Sequence, residues 1–316
     1  MIAASPVPFS DITFVVQGPI HRVPRDQWGR TTQECLESLR KHFPGSQIIL
    51  SSYKDSDVSG LSYDQVILSA DPGSLDWVDD SNPGQVFHPN INRMIVTSLA
   101  GLREVKTPYA CKIRSDLVFT SSALAQRYTG LQSDPKLTFL QERIQILDFY
   151  TRNEGTNSDF SFCISDLLFF GLTADLLCLF DIPLATPEVI NSYFNESYLA
   201  VYFLRKYHPV PYTHFKECGP EVQKLYAEFL ANQFIIVNAA DVGLPLPFRI
   251  TQWDRASIYT HQDWQALYRI HCLKQWVWKP LLAIKTLYNR LVMYPYDLRK
   301  KLRIRTRLRA LLAKKA

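Results

Sequence analysis

Arg114, Ser115 and Asp116 close an apolar run, YACKIRSDLVF, that reads as a β-strand. Upstream, Asn92 and Arg93 open an amphipathic segment in which Ile91, Ile95, Leu99 and Leu102 share one helical face. An arginine at a helix N-terminus favours phosphate oxygens. A carboxylate at the end of a neighbouring strand can hold Mg²⁺ or Mn²⁺, which take oxygen ligands and bridge a diphosphate. Together these residues suit a nucleotide diphosphate better than a free acid. The spacing also allows a plain salt bridge between Arg114 and Asp116, and it leaves both readings open. Glu196 is a second candidate. It lies in the first turn of a helix after Asn195, a good cap, where the helix dipole favours the ionised form that a general base needs. The same placement would simply complement the dipole. Asp166 sits within FCISDLLFFGL, read as a strand. An acid there is costly unless it has a partner or points into a site, where it would orient an acceptor hydroxyl or act as a structural hydrogen-bond hub.

The elements that must position these residues alternate. DITFVVQGP is a β-branched strand ending in Gln17, Gly18 and Pro19. A helix follows, opened by Thr31 and Glu34 in capping-box form, with Leu36, Leu39 and Phe43 on one face. QIILSSY and QVILSA are the next strands, ending near Ser52, Tyr53 and Asp55 and at Asp71. Strand, helix, strand, strand, helix, strand implies an α/β fold with a largely parallel sheet. Ligands bind such sheets beyond the carboxyl ends of the strands, so these polar clusters should converge on one crevice. The second half is less regular. LTFLQERIQIL reads as a strand, TADLLCLF as a helix capped by Thr173, NESYLAVYFLRKY as a helix and NQFIIVNAADVG as a late strand.

Composition narrows the class. The chain has 316 residues, 47% of them hydrophobic, enough for a large core and too many for a disordered chain. Asp166, Asp175 and Asp181 interrupt the most apolar stretch, which argues against a membrane span. The N-terminal MIAASPVPF is too short and uncharged for a signal peptide. Six cysteines without C-x-x-C spacing suggest buried thiols in a reducing compartment, and none of the seven histidines pairs at metal-ligand spacing. The net charge of +5 is unevenly spread. From Lys274 onward there are thirteen bases and one acid, a net of +12, which leaves −7 for the body. In that segment Leu281, Ile284, Tyr288 and Leu291 form an apolar stripe beside Lys285 and Arg290. The stripe and its bases suit an anionic membrane surface; nucleic-acid binding and an ordinary solvated helix are the rival readings.

Several segments, in order, resemble the WavE family of lipopolysaccharide-synthesis proteins. They are SDITFVVQGPI, FPGSQIILSSYKDSDVSGL, DPG, NINRMIVTSLAGL, YACKIRSDL, SDLLFFGLTADLL and the helix at Asn195-Glu196. The path is also similar to GT-A glycosyltransferases. In one large inverting family of these, an Arg-Asn-bearing helix precedes a strand ending in Asp-x-Asp, and a later Glu-Asp pair supplies the base. Asn92-Arg93, Arg114-Ser115-Asp116 and Asn195-Glu196 stand at those places, with Arg114 replacing the first metal Asp and Asn195 departing from the acidic pair.

The resemblance implies a GT-A-like, Rossmann-like, mixed but mostly parallel sheet flanked by helices. A glycosyltransferase domain would span 1–260 and a basic helical extension 261–316. The donor would be a nucleotide-diphosphate or nucleotide-monophosphate sugar, and the acceptor a glycan or lipid-linked molecule of lipopolysaccharide core, O-antigen or capsule. Gln17, Gly18, Pro19, Ser52, Tyr53 and Asp55 would line the nucleoside. Asp71, Asn92, Arg93 and Arg114 would serve the donor too, the two arginines at its diphosphate. Asp116 would hold Mg²⁺ or Mn²⁺, with metal-independent activity left open by Arg114. Glu196 would be the base if the reaction inverts, and Asp166 would position the acceptor. The expected location is the cytoplasmic face of the inner membrane, held there by 274–316, with no nucleic-acid partner. A sugar nucleotidyltransferase, favoured by Arg22 and Arg25, and a non-catalytic carbohydrate- or membrane-binding protein remain as alternatives.

Overall fold

Thr31 opens the first long helix as its spacing predicts. Its Oγ1 accepts from the Glu34 N–H, and the Glu34 carboxylate accepts from the Thr31 N–H at 2.8 Å. The computed structural model describes residues 3–24, 30–78, 86–156, 161–190, 192–214, 217, 219–246 and 257–293. Its strands are β1 (Ala3–Pro6), β2 (Ile12–Gln17), β3 (Gln47–Tyr53), β4 (Gln65–Ser69), β5 (Trp77–Val78), β6 (Val86–Phe87), β7 (Tyr109–Arg114), β8 (Gln126–Thr129), β9 (Ile144–Leu147), β10 (Leu168–Leu172) and β11 (Phe234–Val237). Its helices are α1 (Thr32–His42), α2 (Ile91–Arg103), α3 (Thr173–Phe180), α4 (Pro187–Ile190), α5 (Asn195–Arg205), α6 (Pro220–Gln233), α7 (His261–His271) and α8 (Trp278–Tyr288).

Seven strands form one sheet in the order β11-β9-β10-β7-β2-β3-β4. All run the same way except β10, which is antiparallel to both of its neighbours. The chain leaves β2 towards β3 and β4, then returns to lay β7 on the other side of β2. That reversal makes the carboxyl ends of β2 and β7 a topological switch point, where a crevice opens. Gln17 and Arg114 are register partners there. The inner strands are apolar on both faces because helices cover them: Phe14, Val15, Val16, Ile48 and Leu50 are all buried.

Helix α2 lies on β2, β3 and β4, and Gly101 permits its close approach. A Cβ at Gly101 would overlap Val15 Cγ1 and stand 3.1 Å from Ser51 Cβ. Gly101→Ala is therefore expected to destabilise the fold by about 1–3 kcal/mol, the usual cost of overpacking. A shift in the denaturant midpoint would measure it, and an unchanged midpoint would mean that α2 does not pack this tightly.

Several sequence expectations are corrected. The strand containing Asp166 begins only at Leu168, so Asp166 lies in the loop before β10. Of LTFLQERIQIL, only Ile144–Leu147 is strand. Thr173 does not cap α3; Leu172 holds the N-cap position, and Thr173 Oγ1 donates to the Thr107 carbonyl at 2.8 Å. Asn195 is not the cap of α5 but its first residue, after Phe194. Helix α6, opened by Gly219 and Pro220, was not anticipated. The expected boundary at 260/261 falls at the start of α7, which buries Trp264, Leu267 and Tyr268 in the common core. After α7, the exposed large apolar side chains begin at Trp276.

Candidate active site

A cavity of about 530 Å³ opens at the carboxyl ends of β2, β3, β4 and β7, within the usual range for small-molecule sites. Nine of the residues expected there from sequence line it. Gln17, Gly18 and Pro19 follow β2, Tyr53 ends β3, Asp71 follows β4, Arg93 comes from α2, and Arg114 and Asp116 end β7. Asp166 completes the wall from the loop before β10. The turn at Gly18 requires glycine, since its φ is +119°. The Gln17 side chain is fixed by Thr97 Oγ1, which donates to its Oε1 at 2.8 Å.

The other four do not line the cavity. Ser52 is buried behind it, and its Oγ donates to the Gly18 carbonyl at 2.8 Å, so it shapes the turn. Asp55 is exposed in the turn after β3. Asn92 is buried and clamps the Ala185 backbone: its Nδ2 donates to the carbonyl at 2.9 Å, and its Oδ1 accepts from the N–H at 2.7 Å. Its role is to tie α2 to the segment before α4. Glu196 stands one residue beyond Asn195, which does line the cavity.

Both arginines are held by carboxylates. Arg93 meets Asp71 in a two-point pair, Nε to Oδ1 at 2.8 Å and Nη2 to Oδ2 at 2.7 Å, and donates from Nη1 to Asn90 Oδ1 at 3.0 Å. These bonds hold the Asp71 carboxyl below the usual range, against a small burial effect. Arg114 pairs with Asp116 in the same way, Nε to Oδ1 at 3.0 Å and Nη2 to Oδ2 at 2.8 Å. Burial pulls the Arg114 guanidinium down, but the Asp116 carboxylate more than offsets it, so the guanidinium stays charged. Among the described residues no group accepts from Arg114 Nη1, which leaves that nitrogen for a ligand.

Asp166 and Glu196 add an acidic cluster beside the Arg114 pair. The Asp166 carboxylate receives no hydrogen bond from a described residue, although it is 9% exposed. Burial, reinforced by the nearby Asp166 charge, pushes Glu196 up to about 7, while Arg152 and Arg114 pull the other way. Tyr150 belongs to this cluster as well. Burial raises its phenol, with Glu196 and Asp166 adding to the shift. Its φ of 67° lies in the left-handed region, strained for a tyrosine, and the Arg152 guanidinium sits 5.4 Å from its ring centre. Beneath the site, Lys112 is fully buried and donates from Nζ to the Asp166 carbonyl.

Sequence reasoning did not single out several residues of the site. His21, Asn90 and Met94 line the cavity. Each lies within two residues of a named motif, so the loops around those motifs were the available signal. Tyr150, Arg152 and Lys112 carried no such signal. Arg22, offered for the nucleotidyltransferase alternative, donates to the Asp57 and Ser59 carbonyls at 2.9 and 2.8 Å and is not in the cavity wall. Arg25 lies outside the described residues.

A family model described as WavE lipopolysaccharide synthesis matches residues 12–294. The chain belongs to the WavE family. Membership places this WavE protein in lipopolysaccharide synthesis. The matched span contains every candidate site residue, and no curated protein matches the chain.

The donor set of this WavE site does not fit a divalent cation as it is built. Both Asp116 oxygens already accept from Arg114, a fixed cation two residues away. Among the described residues no group of three or more His, Cys, Asp or Glu side chains is arranged to hold a metal.

Proposed function

We propose that this WavE protein is a glycosyltransferase that moves a sugar from a nucleotide donor to a hydroxyl of a lipopolysaccharide-type acceptor. The observation that carries the reading is the cavity at the sheet's switch point, where Arg93 and Arg114, each paired with an aspartate, share the lining with Asp166. Gln17, Gly18, Pro19 and Tyr53 flank the nucleoside. Arg114 offers Nη1, which has no acceptor among the described residues, to the diphosphate, and Arg93 lines the same cavity with Asp71. Asp166 accepts a hydrogen bond from the acceptor hydroxyl and orients it. Glu196 takes that hydroxyl's proton as the oxygen bonds to the anomeric carbon and the bond from that carbon to the diphosphate oxygen breaks. The charge released on the leaving group falls beside the Arg114 guanidinium, the kind of fixed electrostatic stabilisation that dominates many enzymes. This route gives inversion at the anomeric carbon.

A thermal-shift panel of UDP-, GDP-, ADP- and CMP-sugars tests the donor reading. One donor is expected to raise the melting temperature, and further with each rise in its concentration above Kd. No shift with any of them at millimolar concentration would exclude it.

The reading includes a membrane-bound acceptor, supported by α8 and the turn after it. Leu281, Ile284, Tyr288 and Leu291 are 54–65% exposed on one face. The opposite face is docked: Lys285 donates to Asp263 Oδ1 at 2.7 Å, and Thr286 Oγ1 accepts from Asn153 at 3.3 Å. Lys285 therefore serves the globule and not the outward face. Lys274 is likewise engaged, with Asp134 and the His271 carbonyl. Lys279 and Arg290 remain beside the apolar face, and the nine bases from Arg299 to Lys315 lie outside the described residues. No helix among the described residues is long and apolar enough to cross a membrane, so the occupant proposed for this face is the surface of an anionic bilayer. Replacing Leu281, Ile284 and Leu291 with Ser is expected to weaken co-sedimentation with phosphatidylglycerol vesicles at least roughly tenfold, given about 1.5–3 kcal/mol per fully buried side chain. Undiminished binding would remove α8 from that role.

A further inference from the structure

Strand β7 places two cations on one face. Lys112 and Arg114 are two residues apart, and side chains at that spacing point the same way from a strand. Arg114 reaches the cavity wall. Lys112 stays behind it, with no exposed surface, and donates to the Asp166 carbonyl. Its ammonium lies 5.4 Å from the Phe169 ring centre and 5.9 Å from that of Phe180. Among the described residues no carboxylate is in ion-pair contact with Lys112. An ammonium in such a place is costly, and that cost is offset only by the carbonyl, the two rings and the charges around the cavity.

Those charges complete the picture. Burial lowers the Lys112 ammonium to about 8; Asp166 and Asp116 oppose that shift and Arg114 adds to it. Arg114 is thus held on Asp116 and acts electrostatically on Asp166 too, and Lys112 sits behind the same wall. A divalent metal would have to break the two-point bond between Arg114 and Asp116. It would also sit close to a guanidinium and an ammonium in a partly desolvated site, where like charges repel strongly. A guanidinium, by contrast, matches phosphate oxygens in its own plane and needs no metal to do so.

We propose that the site binds its nucleoside diphosphate without a divalent cation, Arg114 supplying the charge that a metal would bring and Lys112 acting as a positioning residue that fixes the Asp166 loop and supports the field. The inference rests on the donor reading given above, and its test separates the two. Mn²⁺ alone is titrated into the full chain and followed by electron paramagnetic resonance. No saturable site is expected below about 1 mM, the weak end of protein affinities for hard divalent ions. A single site tighter than that overturns the proposal whatever the donor.

UDP, GDP and ADP are then titrated calorimetrically in EDTA and in Mn²⁺. The nucleotide that binds should do so with a Kd unchanged within about twofold, and a tightening of about tenfold or more in Mn²⁺, equal to 1.4 kcal/mol, overturns the proposal. If none binds in either medium, the donor reading fails, while the Mn²⁺ titration still decides the cation question. Lys112→Met provides the check on positioning. It should weaken the nucleotide at least severalfold in EDTA while leaving the melting temperature unchanged or higher, because a buried charge has gone. Equal loss of affinity and stability would make Lys112 merely structural.

Discussion

Glu196→Gln is expected to lower kcat by about 10²–10⁴-fold, the usual contribution of a general base, with nucleotide affinity little changed. The wild-type kcat/KM should rise with pH and level off above about 7, because burial and Asp166 hold the Glu196 carboxyl up at that value and only the ionised form accepts a proton. The variant should lose this ascending limb. Stability should move the other way. Between the ordinary carboxylate value of 4.5 and about 7, the folded protein holds a proton that the unfolded chain releases. The wild type therefore loses stability as pH rises through that window. The variant carries no such cost, so its melting temperature should match the wild type near pH 4.5 and equal or exceed it at pH 8. A variant within tenfold of wild-type activity that keeps the pH profile would remove Glu196 from the base role and leave Asp166 as the acid to test. The groups that set the limb are those around it: Asp166 and Tyr150, with Arg152 and Arg114 opposing.

Arg114→Ala should be the most destabilising single change at the site. The Asp116 side chain is 2% exposed and accepts both guanidinium bonds of Arg114. Removing one partner of a buried ion pair leaves an uncompensated charge, which typically costs about 3–5 kcal/mol. Urea denaturation at pH 7.5 should show the loss. The double change Arg114→Met with Asp116→Leu should recover most of the stability, since an apolar pair of similar volume often replaces a buried ion pair without loss. It should not recover nucleotide binding. A single variant that loses less than about 1 kcal/mol would mean that the pair is solvated like a surface bridge.

Much of the fold was legible because its signals are local. The Thr31 capping box, the apolar faces of α1 and α2, and the four apolar strands of the first half each show within a short window. The second half was harder. Asp166 sits in a mainly apolar run, and apolarity alone does not separate strand from buried loop. Helix α6 begins at a Gly-Pro signal that was there to be read. Asn92 illustrates the limit at the site: beside Arg93 it looks like a ligand residue, yet the side chain turns inward to the Ala185 backbone, 93 residues away in sequence.

The sequence by itself determined the alternation of elements, and hence that Gln17, Tyr53, Asp71 and Arg114 would meet at the strand ends. That convergence follows from the geometry of parallel sheets and needs no knowledge of side-chain partners. The tertiary structure decided what those side chains do there. It closed Arg93 on Asp71 and Arg114 on Asp116, turned Lys285 towards the globule, and set Lys112 against Asp166 and Tyr150 near Asp166, Glu196 and Arg152. Pairing and burial depend on which groups meet across long stretches of chain. Those two things fix whether a carboxylate is a base, a ligand or half of an ion pair.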